Sequence, residues 1–166
     1  MKYLIRFFSF VFFSFLFFSC GQDDACRVSR YVNMPVTFYT IKADTITLDS
    51  IVYKTEKKAV DNLLVRGVGV DSVLYNGKNA SSVNLLLNKF SDRSDYVFMF
   101  DGVNDTISFF YDTHENFLSF ECGVYFTYTL RDNLHYSTNY IDSVKILTYD
   151  VNTSNAENIQ IYHTPR

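Results

Sequence analysis

From Phe117 to Leu130 the chain reads FLSFECGVYFTYTL. The even positions are Leu118, Phe120, Cys122, Val124, Phe126, Tyr128 and Leu130; the odd ones include Ser119, Glu121, Gly123, Thr127 and Thr129. Apolar residues at every second position mark a strand with one buried face, because successive side chains of an extended backbone point to opposite sides. A strand is therefore expected over 117–130, with Cys122 on its buried side and Glu121 in water. The same test picks out 34–41, 45–54, 63–75, 83–90, 95–100, 105–112, 140–150 and 158–163, all rich in β-branched and aromatic residues.

Turn chemistry separates these segments: Asn76-Gly77, Ser91 to Ser94, Asp101-Gly102 and Asn152 to Asn158. Asn-Gly and Asp-Gly favour the primed turns that close hairpins, and Gly67 and Gly69 mark a bulge or bend. Only KTEKKAVDN, residues 54–62, reads as a helix or, equally, as a solvated loop. Eight or nine short strands predict an all-β fold: a single antiparallel β-sandwich, immunoglobulin-like or related, with a small closed β-barrel as the alternative.

The N-terminus follows different rules. Lys2 and Arg6 precede FFSFVFFSFLFF, residues 7–18, which carries no charge. As a helix this run would span about 18 Å, short of the roughly 30 Å core of a bilayer. A basic start, an apolar run and a small residue make a secretory signal. Ser19 is that small residue and Cys20 follows it. FFSC resembles the bacterial lipobox, in which cleavage occurs before a cysteine carrying a diacylglycerol, although Phe17 stands where that pattern usually has Leu. The resemblance implies a signal peptide over 1–19, a lipid on Cys20, a polar tether over 20–33 and a folded domain over 34–166. An ordinary cleaved signal and an uncleaved anchor are the other readings.

Without residues 1–19 the chain keeps 13 of its 15 basic side chains against 18 acidic ones, a net charge of −5. An acidic chain with no basic run argues against nucleic acid and against an anionic membrane surface as partners. Export also bears on Cys26 and Cys122. An oxidising compartment favours a disulfide between them, which would close a long loop and tie the tether to the core; two buried free thiols are the alternative.

No catalytic constellation emerges. His114, His135 and His163 fall in or beside expected turns, and none has a second His or Cys at metal-ligand spacing. Each is expected to be solvated. There is no G-x-S-x-G elbow and no EF-hand spacing. The carboxylates Asp92, Asp95, Asp101, Asp105, Asp112 and Glu115 crowd one stretch without singling out an acid–base pair. Tyr75, Tyr111, Tyr136 and Tyr140 are candidate platforms for a sugar ring, or else packed strand residues with a bonded hydroxyl.

The tripeptide D-[ST]-[IV] recurs at residues 44, 49, 71, 105 and 142. Asp and Ser/Thr suit the start of a strand and the β-branched residue continues it. The pattern is also similar to the O-glycosylation acceptor motif of exported Bacteroidota proteins, which implies Thr45, Ser50, Ser72, Thr106 and Ser143 as acceptors.

The stretches GVGVDSVLYN, LLLNKFSDRSDYVF, DTISFFYDT, FLSFECGVYFTY and ENIQIYH together resemble an uncharacterised family of Bacteroidota envelope lipoproteins, a domain of unknown function, over residues 26–163. The resemblance carries no catalytic or ligand residues. It implies an envelope lipoprotein of about this size, with Asp23 and Asp24 as an acidic surface-export signal after Cys20. The expectation is an outer-membrane-anchored lipoprotein, facing the periplasm or the exterior. It would be a non-enzymatic module without cofactor or metal that binds or supports another envelope protein. The alternatives are a surface glycan-binding module and, more weakly, a carboxylate-dependent hydrolase.

Overall fold

The computed structural model describes residues 31–47 and 50–164. Among them are twelve strands and no helix: β1 (Met34–Thr47), β2 (Ser50–Lys57), β3 (Val60–Gly67), β4 (Val73–Ala80), β5 (Ser82–Leu85), β6 (Arg93–Phe100), β7 (Val103–Ser119), β8 (Gly123–Leu130), β9 (His135–Tyr136), β10 (Ile141–Ile146), β11 (Asp150–Val151) and β12 (Ile159–His163). They form two sheets, neither closed into a barrel. One has the order β10-β12-β1-β2, with β5 also on β1; the other runs β11-β8-β7-β6-β3-β4, with β9 also on β7. The fold is a β-sandwich. All pairings are antiparallel except one: β1 and β12 run parallel, with Val36 opposite Ile159 and Tyr39 opposite Tyr162.

The core follows from alternation. In β6 the residues Ser94, Tyr96, Phe98 and Phe100 are buried while their neighbours are not. Phe98 and Phe100 stack at 5.7 Å, and Phe100 stacks on Tyr140 at 5.0 Å. Phe38, from the other sheet, meets Phe100 edge to face at 5.8 Å, so this aromatic cluster joins the two layers. Such pairs add about 0.5–1.5 kcal/mol each beyond the area they bury.

Two polar devices hold connections against this core. The segment after β5 is pinned by three buried tyrosines. Tyr96 donates to the Leu86 carbonyl and Tyr128 to the Leu87 carbonyl, while the Tyr111 hydroxyl bridges Ser94 Oγ and the backbone of Asn88. Burial pushes all three phenols up, so they remain protonated donors. The second device is Asp105 on β7, only 1 % exposed. Its carboxylate accepts from Ser137 Oγ and from the backbone N–H groups of Asn139, Tyr140 and Ile141. That segment carries the chain from β9 in one sheet to β10 in the other. A carboxyl that the sequence left without a role among its acidic neighbours is thus a buried joint.

Several local expectations are corrected. Residues 54–62 form neither helix nor loop: they end β2 and begin β3. Asn76-Gly77 is not a turn but lies inside β4; the reversal falls at residues 68–70, where Gly69 has φ +74°. Gly77 instead admits the Tyr75 ring, whose hydroxyl would lie 2.6 Å from a Cβ at that position. Asp101-Gly102 does close a hairpin, with φ of +48° and +90°, as a primed turn requires.

Candidate functional site

The segment 117–130 is not one strand. Residues 120–122 form a turn between β7 and β8, and the alternation runs through it by accident of composition. Gly123, with φ +73°, supplies the left-handed position, and Ser119 Oγ accepts the Cys122 N–H at 3.0 Å. The apolar face expected to be buried therefore splits. Tyr128 and Leu130 are in the core, whereas Phe120 is 94 % exposed.

The hairpin projects. β6 pairs with β7 only over residues 103–110, and β11 backs β8 only at Tyr128 and Thr129. Beyond those points, among the described residues, β7 and β8 pair only with each other, from His114–Thr127 to Ser119–Gly123. Two strands without a third, or without packing on a face, are marginal in water. This ribbon is held partly by side-chain bonds: Asn116 Nδ2 donates to Thr127 Oγ1 at 3.0 Å, and His114 Nε2 lies 3.0 Å from Thr129 Oγ1. Near its end Phe117, 62 % exposed, meets Phe120 edge to face at 5.4 Å.

Along β8 of the ribbon lies a cleft of about 230 Å³, lined by Tyr31, Leu86, Lys89, Val124 and Phe126 among others. Tyr31 is 78 % exposed, and Leu86, Phe90 and Val124 are exposed beside it. The Lys89 ammonium sits over the rings of Phe90 (4.9 Å) and Phe126 (5.0 Å), contacts worth about 0.5–1 kcal/mol at exposed sites. Next to it Arg131 pairs with Asp112 and lies 3.6 Å from Asp92. The hydrogen bond from that guanidinium holds the Asp112 carboxyl below the usual range. The surface is thus apolar and aromatic, with one lysine and a compact ion cluster at its rim.

Other expected residues disperse. Cys20, Asp23, Asp24 and Cys26 lie outside the described residues, as do the side chains of Thr45 and Ser50. Ser72 is exposed in the bend before β4, Thr106 is exposed on β7, and Ser143 is half-buried in β10. Cys122 is buried, though in the turn and not in a strand, and its sulfur is engaged.

The carboxylates do not converge on one point. Asp92 and Asp112 share Arg131, Asp95 binds Arg93, Asp101 binds Asn62 and Tyr140, Asp105 holds the β9–β10 connection, and Glu115 is exposed. Of the four candidate tyrosines, Tyr111 and Tyr140 are core residues; Tyr136 is exposed and Tyr75 half-buried. His114 and His135 are exposed, but His163 is not a solvated loop residue. It is buried on β12, stacked on Tyr140 at 5.4 Å, with Nε2 3.2 Å from the Lys58 carbonyl. Among the described residues no group of three or more His, Cys, Asp or Glu side chains is placed to hold a metal ion.

Alternation alone missed the exposed pair Phe117 and Phe120. The signal that could have found it is Gly123 directly after Cys122, a left-handed turn position inside an apparent strand. Residues 62–163 match the model of a family of unknown function, DUF6452. No curated protein and no solved structure matches the chain.

Proposed function

The chain belongs to DUF6452, a family of unknown function, and from that premise we propose that it is a lipid-anchored, non-catalytic module of the outer membrane that binds or supports another envelope protein. The observation that carries this reading is the open cleft along β8, where the exposed side chains of Tyr31, Leu86 and Val124 adjoin Phe126 and Lys89. Contiguous exposed apolar surface with a polar rim is the usual mark of a protein contact. Of the six carboxylates only Asp92 and Asp112 share a partner, and that partner is the Arg131 cation, which favours binding over hydrolysis. A glycan-binding role draws on Tyr136 and Tyr75 alone, since Tyr111 and Tyr140 serve the core.

The same reading gives Cys20 the lipid, Asp23 and Asp24 the export signal, and Cys26 the pairing with Cys122. Of the five D-[ST]-[IV] hydroxyls, Ser72 is the one on an exposed bend and so the first candidate for a glycan.

The test is crosslinking and affinity capture of the full chain from solubilised membranes. One envelope protein should co-purify in stoichiometric amount and be lost on Leu86→Asp, a change at an exposed position that leaves the fold intact. A partner retained by that variant would move the contact elsewhere. Absence of any partner under native lipidation would sink the accessory role. Specific hits on a glycan array, abolished by Tyr136→Ala, would replace it with sugar binding.

A further inference from the structure

The end of the ribbon is a hairpin turn carrying the nearly bare ring of Phe120 and the half-bare ring of Phe117, the latter opposite Val124 of the cleft wall. Two rings on a narrow turn cannot supply the roughly 1,200 Å² or more that a stable protein–protein interface buries. They do match what a bilayer accepts, since phenyl and leucyl side chains settle at the boundary between headgroups and acyl chains.

The position of the chain's own beginning selects the bilayer as occupant. Tyr31 lines the same cleft as Val124 and Phe126 of β8, the strand that leaves the tip, so the described chain starts alongside the ribbon. It lies eleven residues on from Cys20, a reach of at most about 40 Å when fully extended. Cys122 brings the two closer. It lies in the tip turn, two residues from Phe120, with its sulfur engaged, and Cys20 and Cys26 are the other cysteines of the sequence. With a lipid on Cys20, Cys26 is left for Cys122, and six residues of chain then hold the tip within about 20 Å of the lipid.

We infer that Phe117 and Phe120, at the end of the β7–β8 hairpin, dip into the bilayer interface beside the lipid anchor and fix the orientation of the sandwich on the membrane. The inference rests on the lipid-anchor reading above. The exposed carboxylates of Glu115 and Glu121 limit the depth: they stay in water while the rings reach past the headgroups. The net acidic chain makes apolar contact, not charge attraction, the source of this docking.

The sequence contains no tryptophan, so Phe120→Trp provides a single indole at the tip, on an exposed site where the fold tolerates it. Tyr136→Trp serves as control. Tyr136 is exposed on β9 opposite Ile107, and the ten residues of β7 from Ile107 to Phe117 span roughly 33 Å. The full lipidated chain is placed on phosphatidylethanolamine–phosphatidylglycerol vesicles containing lipids brominated along the acyl chain. An indole about 5–10 Å below the boundary should lose about half its emission, while the indole at position 136 keeps its own.

Equal responses at the two positions, or equal access of aqueous iodide to both, overturn the inference. Intact mass of the same sample separates the two levels. A diacylated chain with an unquenched indole at 120 refutes tip insertion alone. A chain without the lipid mass refutes the anchor and the inference with it.

Discussion

Replacing Asp105 with alanine withdraws one carboxylate from four donors at once. Ser137 and the N–H of Asn139 are reachable by water, so their loss costs little. Tyr140 and Ile141 are buried, and their N–H groups bond Asp105 Oδ2 at 2.7 and 2.9 Å. A buried donor left without an acceptor costs about 1–3 kcal/mol, so Asp105→Ala should lose about 4 kcal/mol, a large part of the roughly 5–15 kcal/mol that holds a domain together. At an m-value of about 2 kcal/mol per M the urea midpoint falls by about 2 M, measured by far-UV circular dichroism. Asp105→Asn keeps one acceptor but turns an NH₂ toward the remaining donors, and should lose about half as much. The pH dependence follows with its sign. Burial raises the Asp105 pKa, but the hydrogen bonds from Ser137, Ile141, Asn139 and Tyr140 outweigh it and hold the carboxyl below its ordinary value. A depressed folded pKa contributes stability that is present above about pH 4 and lost as pH falls through the folded value. Asp105→Asn should flatten that acid limb. An alanine variant within 1 kcal/mol of the parent at pH 7, with m unchanged, would refute the joint between the two sheets.

Three further outcomes are expected. Burial lowers the pKa of His163, against the opposing Lys58 carbonyl and the nearby Asp142 and Asp101 carboxylates. The unfolded chain therefore takes up the proton first, and stability should fall as pH drops below about 6.5; urea titrations of His163→Gln should lack that slope. Tyr111→Phe leaves Ser94 and the Asn88 N–H without the phenol oxygen, and should lower stability by about 1–3 kcal/mol by thermal melt. Gly77→Ala should cost about 1 kcal/mol by displacing the Tyr75 ring and close to nothing in a Tyr75→Ala background, a non-additivity that a double-mutant cycle reads directly.

Where a strand is buried on one face and bounded by an unambiguous turn, the sequence carried the structure. β6 alternates as expected and Asp101-Gly102 closes its hairpin. Legibility failed where one pattern serves two geometries. Asn-Gly is a turn signal, but a glycine is equally what a strand needs under an overlying ring, as Gly77 is under Tyr75. Alternation reports extended backbone and not burial, so it ran unbroken through the turn at residues 120–122 and assigned Phe120 to a core it never enters. The lysines of 54–58 suggested solvent, and they are solvent-facing, but Lys54 and Lys57 are on a strand. His163 was misplaced because polar identity predicts exposure unless partners are known, and Asp105 was left without a role for a related reason: their partners lie on distant segments, Lys58 for the one and residues 137–141 for the other. The cleft along β8 joins residues near positions 31, 86 and 124, a meeting that no local pattern encodes.

The parallel pairing of β1 with β12 sets a condition on when the fold can be completed. Val36 and Ile159 lie at opposite ends of the domain's sequence, and the entropy of closing that loop must be met before their ladder returns anything. As the chain emerges from a ribosome, β1 appears first and waits, its flank open, until residue 163 is free. The five-stranded sheet thus reports whether β12 has been made. A product truncated after β10 keeps most of its residues, yet leaves β1 bonded on one side alone.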